Sequence, residues 1–278
     1  MLIKKHNKAF TIIEMVIAIT ILGIVGGLSA LIIDRTVDGY DATARRAKLH
    51  SGIRLAVDRI AREARHALPN SICTYDGSNC NSSADRFYFL KTIDAGEYQT
   101  VTGNYTSGNA RAPLPISPTT ATSFDVLSTD NLTASATDWV VVYNTNNTDI
   151  YTISTTKRNQ ISSIILKDVD GTNNITTVNF SSSISFPTHS PSRRVQIIKN
   201  NATLFYLSGT DLYRASSFLL TPNTPEDEQL LLENVTDLDF SYIPGTQQRA
   251  SVLTIDITIT VKGEAVRIIH EAHIQNAA

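Results

Sequence analysis

Glu14 is the one ionisable residue in an apolar stretch that runs from Phe10 to Ile33. A carboxyl group at the start of a membrane-type helix costs about a few kcal/mol unless something neutralises it, so it implies a partner and a purpose. Cys73 and Cys80 enclose Thr-Tyr-Asp-Gly-Ser-Asn. In an oxidising periplasm a pair this close reads as a disulfide clip worth about 2–3 kcal/mol; two thiols without further Cys or His nearby make a poor metal site. Asp168, Asp170 and Asn173, around Gly171, begin like a calcium loop but lack the closing Glu, so a tight Asp-Gly turn is the simpler reading. His270-Glu271-Ala272-His273 falls short of a metal motif, because in a strand its two histidines take opposite faces. Trp139 could stack on a sugar, but with Val140, Val141 and Val142 beside it core packing is the better assignment. There is no Gly-x-Ser-x-Gly elbow, no His-Glu-x-x-His and no phosphate-binding glycine loop. The chain therefore reads as non-enzymatic, with no cofactor and no resident metal.

The elements that position these residues follow from composition and periodicity. Of 278 residues, 42% are hydrophobic and 18% charged, with a formal net charge of -2 and two cysteines. A strongly basic nucleic-acid binder, a disulfide-dense mini-protein and a wholly disordered chain are excluded. The 24 residues Phe10–Ile33 would span roughly 36 Å as helix, enough to cross a bilayer. Lys4, Lys5 and Lys8 precede them without an acidic residue, which keeps residues 1–9 cytoplasmic and sends the remainder outward. The run is too long for an ordinary cleaved secretory signal. On periodicity alone it is a signal anchor; Glu14 is what argues for more. Gly23, Gly26 and Gly27 each lower helix propensity by about 1 kcal/mol relative to Ala. They suit either close helix packing in the membrane or local melting during assembly.

Beyond Ile33 the apolar stripe continues through Val37, Tyr40, Ala44, Ala47, Leu49, Ile53, Val57, Ile60, Ala64 and Leu68, and Pro69 should stop it. One helix from Phe10 to Leu68 is predicted, on the order of 90 Å long. Seven basic against two acidic residues between Arg45 and Arg65 read as a solvated face; without interleaved aromatics they do not read as a nucleic-acid site. From Pro69 the pattern changes to short β-rich runs: Arg86–Leu90, Trp139–Tyr143, Ile150–Ser154, Ile161–Leu166, Thr176–Phe180, Arg193–Lys199, Thr203–Leu207, Leu230–Glu233, Leu238–Tyr242, Val252–Val261 and Ala265–Ile274. Residues 99–137, poor in apolar side chains and carrying Pro113-Leu-Pro-Ile-Ser-Pro118, are expected to form a long surface excursion. The predicted class is α+β: a long N-terminal helix, transmembrane in its first half and amphipathic in its second, packed on a mainly antiparallel head. Its parts are residues 1–9, 10–33, 34–68 and 69–278.

Lys8-Ala9-Phe10-Thr11-Ile12-Ile13-Glu14, with Gly23 in register, resembles the type IV prepilin signature. The resemblance implies a leader peptidase that cuts between Ala9 and Phe10 and methylates the new Phe10 amine. Ala9 stands where that family usually has Gly. Cleavage would remove Lys4, Lys5 and Lys8, taking the formal charge from -2 to -5. It would also place a cationic amine one turn from Glu14. An amine and a carboxylate in apolar surroundings are each costly alone and much less so together. If helices stack with a stagger, Glu14 of one chain can neutralise the Phe10 amine of the next and fix axial register.

Further blocks are similar to the MSHA pilus biogenesis proteins of the MshO type, a branch of the minor type IV pilins. They are Thr43–Leu49, Arg59–Ser71, Asp138–Asn144, Phe186–Pro191 with Arg194-Val-Gln196, Gly209–Ala215, Leu231–Val235 and Leu238–Tyr242. That resemblance implies a low-copy subunit working with major and minor pilins, prepilin peptidase, an inner-membrane assembly platform and an ATPase. It would sit in membrane lipid before assembly, its head in the periplasm of a Gram-negative cell, and later at the surface; no nucleic acid is implied. The family often has a second cysteine-bearing strand, absent from Phe205-Tyr-Leu-Ser208. The alternatives are a J-type minor pseudopilin of a type II secretion system and a membrane-anchored periplasmic binding or sensing module.

Overall fold

Thr11 to Ala64 contain no proline, and every carbonyl in that stretch can find an amide four residues on. In the computed structural model, which describes residues 11–76, 80–81, 83–100, 103–104, 110–127, 132–151, 157–167, 175–218, 225–246 and 249–274, they form one helix, α1 (Ile12–Ala64). The chain divides into two units, Met1–Ser51 and Gly52–Ala278, with the boundary inside α1.

The described part of the first unit is helical from Ile12 onward, and its apolar side chains are uncovered: Ile13, Ile17, Leu22 and Ile32 are each more than half exposed. A helix apolar on all sides belongs in a core or a bilayer. Its polar side chains satisfy themselves, Thr20 Oγ1 donating to the carbonyls of Val16 (3.0 Å) and Ile17 (2.9 Å) and Thr36 Oγ1 to that of Ile32 (2.7 Å).

The second unit begins with the last turns of α1, where Ile53, Ala56, Val57, Ile60, Ala61 and Ala64 are buried at three- and four-residue spacing. Polar contacts fix this face on the sheet: Glu63 receives the Nε of Arg59 (3.2 Å) and of Arg214 (2.9 Å), and Arg59 Nη2 donates to Gln229 Oε1 (2.9 Å).

The strands are β1 (Cys73–Tyr75), β2 (Cys80–Asn81), β3 (Ser83–Ala84), β4 (Arg86–Tyr98), β5 (Gly103–Asn104), β6 (Ala110–Arg111), β7 (Ala121–Leu127), β8 (Trp139–Val142), β9 (Arg158–Gln160), β10 (Ser163–Lys167), β11 (Ile175–Ile184), β12 (Arg194–Ser208), β13 (Asp211–Phe218), β14 (Glu226–Leu232), β15 (Val235–Ile243), β16 (Ser251–Val261) and β17 (Glu264–Ile274). A short helical turn, α2 (Thr148–Tyr151), lies between β8 and β9. The larger sheet runs β10-β11-β7-β4-β12-β13-β14 and the smaller β17-β16-β15-β3. The named ladders are antiparallel; Ile116 and Phe186 form an isolated parallel bridge. The protein is thus α+β, a long apolar N-terminal helix followed by a mainly antiparallel head.

Phe87 lies between Phe205 and Phe240, ring centroids 5.2 and 4.5 Å away, so one aromatic stack joins the two sheets. Tyr88, on the opposite face of β4, packs with Cys73, Leu204 and Tyr206. A second cluster gathers Phe124, Val126, Val178, Phe186, Val195 and Ile197. The β16–β17 hairpin turns through Lys262 (φ 51°) and Gly263 (φ 81°), the two left-handed residues a tight hairpin needs.

Three expectations are corrected. α1 ends at Ala64 rather than Leu68, because the next backbone joins a strand: Leu68 N donates to the Leu90 carbonyl (2.7 Å) and Ala67 bridges Lys91. Ile150 and Tyr151 belong to α2 rather than to a strand; Asn146 Oδ1 caps the turn by accepting from Asp149 N (2.9 Å). Residues 152–154 lie outside the described residues. Finally, residues 99–137 contain an interior strand, β7, with Phe124 and Val126 fully buried, and Leu114 and Leu132 are buried beside it. Among the described residues, these parts of the segment belong to the core.

Candidate functional site

The start of α1 is built by Thr11 and Glu14. Glu14 N donates to Thr11 Oγ1 (3.3 Å), while Thr11 N donates back to Glu14 Oε2 (3.5 Å). This reciprocal exchange is a capping box: the Glu14 carboxylate serves the Thr11 amide, and the Thr11 hydroxyl shares the Glu14 amide with the Thr11 carbonyl (3.1 Å). The Thr11 hydroxyl also donates to Glu14 Oε2 (3.5 Å). The carboxylate is exposed, held toward the N-terminal end of the helix. Negative charge there also complements the helix dipole. Ala9 and Phe10 lie outside the described residues.

Gly23, Gly26 and Gly27 follow on the apolar helix. A Cβ built on any of them meets nothing within 4 Å, so the isolated chain imposes no requirement for glycine there.

In the head, Cys73 and Cys80 are bonded to each other. Cys73 is buried beneath Tyr88 and Tyr151, whose hydroxyl donates to the Ser71 carbonyl (2.8 Å). Burial, helped by neighbouring Tyr75, pushes the Tyr88 phenol up to about 12; burial likewise holds Tyr151 well above its ordinary value. Both remain neutral and structural. Trp139 is half-buried: Nε1 donates to Asn200 Oδ1 (3.2 Å), the Arg158 guanidinium covers one face at 4.8 Å, and the ring packs on a cluster containing Leu68 and Ile198. That arrangement leaves it serving the core. His270 points inward and His273 outward along β17, and among the described residues no three His, Cys, Asp or Glu side chains gather as a metal site. Asp168, Asp170 and Asn173 lie outside the described residues.

Sequence reasoning missed two buried or half-buried carboxylates. Asp125 accepts Lys167 Nζ at 2.9 Å on both oxygens, Thr177 Oγ1 at 2.6 Å and Ala112 N at 2.8 Å. Asp149 accepts Lys157 Nζ at 2.5 Å and Thr145 Oγ1 at 3.0 Å. Each is saturated by structural donors, which leaves neither free to act as a base. An open cleft of about 300 Å³ is lined by Arg65, His66, Thr92, Asp94 and Arg194. Its carboxylate, Asp94, is occupied by the amides of Ala95 (2.7 Å) and Thr133 (2.6 Å). No nucleophile with an adjacent base lines it.

The N-terminus is therefore where chain-specific chemistry is concentrated, and comparison with known families points to the same place. Residues 4–30 match the prokaryotic N-terminal methylation motif. This is the signal of type IV pilin- and pseudopilin-type precursors, which a prepilin peptidase processes. Curated proteins and solved structures returned no match. The signal coincides with the single described helix long and apolar enough to cross a membrane.

Proposed function

We propose that the chain is a minor type IV pilin of an MSHA-type pilus. Prepilin peptidase cuts between Ala9 and Phe10 and methylates the Phe10 amine, discarding residues 1–9. Residues 10–33 first hold the subunit in the inner membrane with its head in the periplasm, then pass into the filament core. Residues 34–64 continue the helix, and the remainder forms the head displayed at the cell surface. The observation that carries this reading is the coincidence of the methylation motif at residues 4–30 with a helix whose apolar side chains are uncovered on every side. Such a surface is stable only in lipid or among other apolar helices. The assignment to the MSHA branch rests on the Asp138–Asn144 and Gly209–Ala215 blocks, which lean away from a J-type pseudopilin.

In assembly the capping box would open. Glu14 exchanges the Thr11 amide of its own chain for the methylated Phe10 amine of a neighbour, a stronger charge-assisted partner in a dry environment. Mass spectrometry of the mature protein tests the class: the expected N-terminus is N-methylated Phe10, and a protein still beginning at Met1 in peptidase-competent cells would overturn it. Deleting the gene and scoring surface pili against secretion of type II substrates tests the branch; loss of secretion with intact pili would move the chain to the pseudopilins.

A further inference from the structure

The edges of the two sheets differ. β14 carries Glu226, Asp227 and Glu228 in succession and breaks register twice against β13; β10 is five residues long and β3 two. Charges, irregularity and shortness are how edges avoid unwanted pairing. β17 is neither short nor irregular, and its charged residues, Glu264, Arg267 and Glu271, are of mixed sign and spaced apart rather than a like-charged run. It is eleven residues long, pairs with β16 in one unbroken register from Ser251↔Ile274 to Val261↔Glu264, and contains neither proline nor lysine. Among the described residues no strand pairs with its other side.

Its sequence is also self-complementary. Arg267, Ile269 and Glu271 lie on the outer face, and Ile269 is 58% exposed. A second, antiparallel β17 centred on Ile269 would set Ile269 opposite Ile269 and Arg267 opposite Glu271 at both ends. On the inner face Ile268 would meet His270 and Val266 would meet Ala272. Shifting the centre to Ile268 or His270 puts a charged residue opposite Ile269 and breaks both ion pairs; centring on Arg267 or Glu271 opposes like charges. Within one chain Arg267 binds Asp256 through Nε (2.8 Å) and Nη2 (2.5 Å), while the Glu271 side chain makes no ion pair or hydrogen bond among the described residues. On the inner face, the His270 Nε2 is buried without a hydrogen-bond partner.

We propose that β17 is a dimerisation edge, to which a second copy of this chain adds its own β17 antiparallel about a two-fold axis at Ile269. The two four-stranded sheets then become one continuous sheet. The interface is isologous and closes on itself. It goes beyond the pilin reading and does not rest on it.

The test uses the full chain in detergent micelles, where Cys73 and Cys80 are already bonded and leave an introduced thiol alone. Under mild oxidation Ile269→Cys is expected to give a covalent dimer. Ala265→Cys and His273→Cys are expected to cross-link when the two variants are mixed and not when either is alone. Adding Glu271→Arg to the Ile269→Cys chain opposes two arginines across the axis and should lower the dimer yield about tenfold, with Glu271→Gln intermediate. An unchanged thermal midpoint for Glu271→Arg separates this from misfolding. Cross-linking at Ile269 no better than at exposed Leu230 on β14 would overturn the proposal. So would a dimer indifferent to Glu271→Arg, because association through the apolar helix would show that behaviour.

Discussion

Thr11 and Glu14 hold each other across the first turn of α1, each side chain serving the other's backbone amide at 3.3 and 3.5 Å. The arrangement gives Glu14 a role within one chain as well as the proposed one between chains, and substitutions separate them. Gln suits the same capping position but carries no charge. Glu14→Gln is expected to leave peptidase cleavage and the helix start intact while abolishing entry into sheared pili, measured by immunoblot. Thr11→Ala removes the cap at a cost of about 1 kcal/mol. It should speed amide exchange at Glu14 and Met15 about fivefold and spare pilus entry. If Glu14→Gln entered pili normally, the charge would have no part in assembly.

Legibility in the sequence tracked how local the determining interaction is. The β16–β17 hairpin was readable because Leu253, Ile255, Ile257 and Ile259 alternate with Thr and Asp, and a two-residue turn follows. The Thr11–Glu14 box is likewise a four-residue pattern, Thr-Ile-Ile-Glu, although the prepilin resemblance drew attention to its charge rather than to its cap. β7 was not readable: Ala121-Thr-Ser-Phe-Asp-Val-Leu127 places a carboxylate in the core, and its partners Lys167 and Thr177 are 42 and 52 residues away. In α2 the β-branched Ile150 suggested a strand, and the Asn146 cap overrode it. The free edge of β17 depends on strand order, which no local pattern encodes.

Two glycine substitutions should behave oppositely. A Cβ on Gly96 would stand 2.3 Å from Val126 Cγ1 and 2.8 Å from the Leu127 carbonyl oxygen, where β4 meets β7. Gly96→Ala is therefore expected to destabilise the protein by about 1–3 kcal/mol in denaturant unfolding. Gly23→Ala meets nothing and should strengthen the helix by about 1 kcal/mol. If Gly23→Ala then enters pili less well, the loss belongs to packing against a neighbour or to required melting, because the folded monomer is not weakened.

The disulfide closes a loop with a sequence separation of seven. Loop entropy assigns it about 2.5 kcal/mol. For a head of this size that corresponds to a drop of roughly 5–10 °C in Tm for Cys73→Ser/Cys80→Ser, followed by circular dichroism. Because Cys73 is buried and Cys80 half-buried, attack in the folded protein is confined to the Cys80 sulfur, so thiol release in the native protein should lag behind release after denaturation. Equal rates would mean that the folded head gives neither sulfur any protection.

Asp149 should make stability depend on acid pH. Burial pushes its carboxyl up, but hydrogen bonds from Lys157 and Thr145 and the Lys157 charge more than reverse this, leaving it below the ordinary value of 3.8. The folded state then binds a proton less readily than the unfolded state. Its contribution is complete above the unfolded value and is lost as pH falls through the lower folded value. Asp149→Asn keeps much of the shape and removes the charge, so its Tm deficit relative to wild type should be constant from about pH 5 to 7 and shrink below about pH 4. Lys157→Met, which removes the cation paired with Asp149 at 2.5 Å and leaves the carboxylate half-buried, should cost stability at neutral pH, and its deficit should likewise narrow below about pH 4 as the wild-type pair is lost. A deficit for Asp149→Asn that stays unchanged down to pH 3 would show that the pair contributes through packing alone.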